Sequence, residues 1–143
     1  MKRLIKPVLA GAGIMLLVSA ILVQEPAAWV APKEADALKD PVKNDAAATA
    51  AGKKLYIASC VVCHGAMGKG DGVASAALAR KPADHSSWKI QSQTDGALFW
   101  KVTNGKSPMA SYKNVFTDEQ RWQLVNYIRE LGKPSATVVT KKP

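Results

Sequence analysis

The chain contains only two cysteines, three residues apart, with a histidine directly behind the second: Cys60-Val61-Val62-Cys63-His64. That arrangement excludes a disulfide scaffold. With two histidines in all, it also excludes a four-ligand zinc site built from Cys and His of one chain. C-x-x-C-H is the attachment pattern of haem c. Two cysteines at this spacing, near a helix terminus, both reach the vinyl groups of one porphyrin edge, and the next residue carries an imidazole under the iron. A thioredoxin-type dithiol would need a βαβ setting, and no run of the sequence alternates as a strand does. The expected cofactor is one covalent haem c (iron), bound by Cys60 and Cys63, with His64 as proximal axial ligand.

The iron's opposite face takes a second ligand or stays open, and that choice separates carrier from enzyme. The candidates are the four methionines and His85. Met1 and Met15 fall in the N-terminal segment. Met67 follows His64 too closely to pass around the macrocycle. Met109 ends the Gly- and Pro-containing stretch Asn104-Gly105-Lys106-Ser107-Pro108-Met109, which can fold back over the far face, so it is the expected distal ligand. His85, behind Lys81-Pro82-Ala83-Asp84, reads as an exposed loop histidine and is the alternative ligand.

Charge and hydropathy divide the rest. Residues 1–23 join the basic Lys2, Arg3 and Lys6 to an apolar run ending at Val23. They read as a signal peptide or a signal-anchor helix. No small-x-small site directly follows the run, which favours the uncleaved anchor. Basic residues before the run place the bulk of the chain outside, on the periplasmic side of the cytoplasmic membrane, or soluble there after cleavage. Residues 24–45, with Pro26, Pro32 and Pro41 and mixed charge, read as a flexible tether. Residues 46–134 form the domain, and 135–143 a basic tail.

Inside the domain a helix is expected from Ala46 to about Ser59. Another starts at the N-cap Thr117, with Gln120 three residues on, and stops at Gly132-Lys133-Pro134. Ala74–Arg80 and Thr94–Thr103 are shorter candidates. The expected class is all-α: three to five short helices wrapped around one haem, preceded by an N-terminal hydrophobic helix.

From Ala48 to Lys133 the chain resembles class I monohaem cytochromes c of the small bacterial type. The resemblance rests on Gly52 and Tyr56, Cys60-Val61-Val62-Cys63-His64, the loop Gly65–Gly72, Pro82, the segment ending at Met109, and Leu124-Val125-Asn126-Tyr127-Ile128. It implies that the first and last helices cross at Gly52 and Tyr127, and that the Pro82 carbonyl accepts the proximal imidazole's N–H. It also implies that Trp88, Phe99, Trp100, Phe116 and Trp122 pack in the core or around the haem, with Trp88 or Trp100 able to donate to a propionate. Ala110 departs from the proline many relatives carry there.

The function this implies is single-electron transfer, with His–Met ligation filling both axial positions, in an exported respiratory-type chain. Two alternatives stand beside it: a cytochrome subunit fixed in a membrane respiratory complex, and a peroxidase-like haem enzyme with an open sixth position. No carboxylate pair, Ser/His/Asp set or nucleotide fingerprint points to an enzyme. The haem domain carries 12 basic and 6 acidic residues over 51–133, which suggests redox partners with acidic docking surfaces. Nucleic acid is not expected, since no reading motif accompanies the charge.

Overall fold

The computed structural model describes residues 28–134; the N-terminal segment 1–23 and the basic tail 135–143 lie outside them. Helices α1 (Ala46–Ser59), α2 (Val61–His64), α3 (Trp88–Gln91), α4 (Asp95–Asn104) and α5 (Asp118–Leu131) follow in order, with 3-10 turns at Lys33–Ala37 and Ser75–Ala77. No strand forms among the described residues. The expected all-α class is the one observed.

The long helices begin where their caps stand. The Asp45 carboxylate accepts from the backbone N–H groups of Ala47 and Ala48, and Thr117 with Gln120 closes a full capping box on α5. The expected helix over Ala74–Arg80 shrinks to the 3-10 turn Ser75–Ala77. Its start lacks a side-chain cap, and a three-residue run cannot build the α-type ladder. α3 was not anticipated, since four residues are too few for periodicity to register.

α1 and α5 make the main packing pair. Where Gly52 crosses α5, a Cβ would collide with the Gln123 carbonyl, so only glycine lets the backbones approach this closely. The partner of Gly52 is therefore the Gln123 backbone, not the Tyr127 ring. Tyr127 packs edge-on to Tyr56 one turn further along, with centroids 5.2 Å apart. Tyr56, Leu124 and Val125 are fully buried at this seam, and Phe99 stacks on Trp122 at 4.0 Å beside it.

Residues 33–45, expected as tether, lie along the domain. Ala35 is buried, the Thr94 hydroxyl donates to Asp36 at 2.6 Å, and the Asn126 amide donates to the Val42 carbonyl at 2.7 Å. Composition missed this because the contacts are mostly single polar bonds to residues far along the chain. Asp95 holds the same region together, between Lys43 and Arg129 at 2.7 Å each. Burial alone would raise its pKa, but the two cations outweigh burial and hold it below the usual carboxylate range. A depressed pKa contributes stability above the unfolded value of about 4, and that stability is lost as pH falls through the folded value. Asp95→Asn should cost about 1–3 kcal/mol near neutral pH. In unfolding titrations the gap to wild type should narrow below about pH 4.

Candidate functional site: the Cys60–His64 haem motif

α1 ends at Ser59 and α2 begins at Val61, so Cys60 is at once the C-cap of the first helix and the N-cap of the second. Cys63 and His64 follow on the short α2, and both cysteines are free thiols, partly exposed. Burial pushes the Cys60 thiol up to about 12, with the neighbouring Cys63 adding to it. The attacking cysteine of a dithiol oxidoreductase needs the opposite shift. The raised Cys60 thiol does not suit that role.

His64 is held by one ring nitrogen. Its Nδ1 donates to the Ala83 carbonyl at 3.0 Å, which leaves Nε2 with its lone pair for a metal. Burial lowers the His64 pKa, a shift only partly offset by the Ala83 carbonyl, so the neutral, ligating form is favoured. The acceptor is Ala83, one residue beyond the Pro82 expected for it. Pro82 instead ends the loop that brings the Ala83 carbonyl into place, and the Pro82 carbonyl would meet any Cβ at Gly70. Two thiols and an oriented imidazole are the donor set that a covalent haem requires.

Met109 is half-buried and packs against the central cluster, as do Cys60, Val61, Tyr112 and Phe116. Its loop is closed by paired bonds, Lys106 N–H to the Met109 carbonyl at 3.0 Å and Met109 N–H to the Lys106 carbonyl at 2.9 Å. Three residues on, the Tyr112 hydroxyl donates to the Ser59 carbonyl at 3.2 Å. The loop bearing Met109 is thus tied to the residue directly before Cys60, a long-range contact that no local pattern announces.

Trp88 and Trp100 differ in burial. Trp88 is 83% exposed, at the N-terminus of a four-residue helix that has no buried residue. It is not part of the protein core. Trp100 is half-buried and sets its ring edge-on to Trp29, with centroids 6.5 Å apart. His85, expected as a loop residue or alternative ligand, is buried face to face against His64, with ring centroids 4.1 Å apart and planes 20° apart. Burial, with His64 adding to it, pushes the His85 pKa down to about 3.

A short C-x-x-C-H helix, an imidazole oriented by a backbone carbonyl and an all-α shell define a c-type cytochrome. The chain belongs to the family described as cytochrome c oxidase, cbb3-type, subunit III, which matches residues 47–128. Its cofactor is covalent haem c. No curated protein matches the chain.

Among solved structures, it is similar to a chain of the reducing HAO-like protein complex of Kuenenia stuttgartiensis. The identity is 27% and the TM-score 0.61, over 78% of this chain and 53% of that one. Cytochrome CL from Methylophaga aminisulfidivorans shares the fold at 20% identity and TM-score 0.51, covering 63% of this chain and 59% of that one. The KustC0563 c-type cytochrome matches at 27% identity and TM-score 0.49, over 57% of this chain and 98% of that one. The chain thus spans little more than half the length of the first two structures.

Proposed function

We propose that this domain is a single-electron carrier in which His64 and Met109 take the two axial positions. The haem would supply a one-electron iron couple, and a thioether ligand from Met109 together with the His64 imidazole would place its potential in the upper part of the haem range. His64 presents Nε2 because Ala83 holds its Nδ1. Met109 would hold the second position and keep water and substrate from the iron. The observation that carries this reading is the Tyr112–Ser59 bond, which fastens the Met109 loop to the helix leading into Cys60. The His64–His85 stack supports it too, because His85 stands beside the proximal imidazole.

Met109→Ala should keep the covalent haem but lose the weak Met–iron absorption band of the oxidised protein and lower the reduction potential. If Met67→Ala or His85→Ala abolished that band and Met109→Ala preserved it, Met109 would not be the ligand. A band absent from the wild type would favour a haem enzyme with an open sixth position.

The family description, and the neighbour's place in a protein complex, support a second reading, a cytochrome subunit of a membrane respiratory complex. Residues 1–23 would anchor it, with the domain on the periplasmic side. Among the described residues no helix is long and apolar enough to cross a membrane. The mass of the mature N-terminus tells anchor from cleaved signal.

The partner surface of this reading is basic. Lys106 and Lys113 flank Met109 and are exposed, as is Lys89, whereas Lys69 is engaged by Ser86 and lies 3.9 Å from Asp84. An acidic redox partner would be steered to that face. Electron transfer to it should slow steeply between about 10 and 150 mM salt, as the Debye length falls from roughly 30 to 8 Å. Charge reversal at Lys106 or Lys113 should slow it more than reversal at Lys141. A salt-independent rate would count against steering.

A further inference from the structure

The His64 imidazole is fixed at one atom by Ala83, and a single hydrogen bond leaves a ring free to pivot about it. What stops the pivot is on the other side. His85 covers the face of His64, and His85 is itself fixed from three directions. Its N–H donates to the Gly68 carbonyl at 2.6 Å, and its carbonyl accepts from the Gln91 side-chain amide at 2.6 Å. Its ring Nδ1 stands 3.2 Å from the Tyr56 hydroxyl. That hydroxyl donates its one proton to the Gly65 carbonyl, also at 3.2 Å, so its oxygen is left to accept and His85 Nδ1 carries the hydrogen.

The supports run back into rigid parts of the fold. Tyr56 is fully buried at the α1–α5 seam, and Gln91 also donates to the Ile128 carbonyl of α5 at 2.9 Å. Gly68 adopts φ +72°, and a Cβ there would press on the Cβ of His85. The backbone at 68 is therefore shaped around His85. An apolar side chain would fill the same space without needing the Tyr56 hydroxyl, so burying a second imidazole here calls for a reason of its own.

We propose that His85 is a positioning residue, which sets the ring plane of the proximal ligand His64 through the face-to-face stack and relays to it the rigidity of the Tyr56–Gly65 contact. This rests on the reading of His64 as the proximal ligand. The plane of an axial imidazole relative to the porphyrin governs the splitting of the iron d-orbitals in the low-spin ferric state. A ring held in one plane gives one sharp set of electron paramagnetic resonance g-values, and a ring free to rotate gives a shifted or broadened set.

The test uses the full-length holoprotein, produced in a host competent for c-type haem maturation. Haem stoichiometry is measured first by pyridine haemochrome. Wild type without covalent haem would defeat the reading of the site itself, whatever His85 does. With haem present, His85→Leu should shift or broaden the ferric g-values and move the reduction potential, at unchanged haem stoichiometry. His85→Phe, which keeps a flat ring, should stay closer to wild type. If His85→Leu does not mature, Tyr56→Phe takes its place. It keeps His85 but removes the hydroxyl that holds it, and should broaden the same signals. Wild-type g-values and potential in a haem-loaded His85→Leu, or in Tyr56→Phe where that stands in for it, would overturn the proposal.

Discussion

Cys60→Ala with Cys63→Ala should abolish covalent haem, so that the intact mass of the purified chain falls to that of the polypeptide. Folding should suffer with it. The helices around the motif are short: α2 and α3 have four residues each, and neither buries a side chain completely. A domain this small hides too little apolar surface to be secure without help. A haem adds a large flat apolar body held at two points. The double variant should therefore show lower helicity and a broader thermal transition. A haem adduct surviving in the double variant would show that attachment runs through other residues.

Gly52→Val should destabilise the holoprotein by about 3 kcal/mol, at the upper end of what overpacking costs. Even the first carbon of the new side chain meets the Gln123 carbonyl, which belongs to a helix backbone and cannot rotate aside. The α1–α5 pair would have to separate, loosening Tyr56 and Val125 behind it. The denaturation midpoint should fall with little change in m-value, while haem stoichiometry stays the same. A midpoint equal to wild type would mean that the crossing tolerates a wider spacing than the structure has.

The parts legible in advance were those whose cause is local. Asp45 and Thr117 cap their helices by bonds spanning three residues or fewer, so the two long helices could be placed from sequence almost to the residue. The C-x-x-C-H motif is local in the same way. What escaped depended on residues distant in the chain. Ala83 and not Pro82 meets His64, because the loop's exact path decides between neighbouring carbonyls. Trp88 is hydrophobic in composition yet exposed, since nothing in four residues turns it inward. The docking of residues 33–45 rests on Asp36, Val42 and Lys43 finding Thr94, Asn126 and Asp95. The His64–His85 stack joins residues 21 positions apart in the sequence, and no periodic signal carries such a pair.

The Tyr112 hydroxyl bond to Ser59 also shapes how the molecule can come apart. Proteins open in cooperative segments, and a loop with few buried contacts usually opens first and alone. Here the backbone N–H groups of Tyr112 and Lys113 are bound to the carbonyls of Val102 and Thr103 on α4, while the Tyr112 ring reaches the end of α1. The loop carrying Met109 cannot lift off without breaking its bonds to both α4 and α1. Under the proposed ligation, withdrawing the Met109 sulfur would require breaking these bonds to α4 and α1 together, which would make ligand exchange at that face a rare sub-global event instead of routine loop motion.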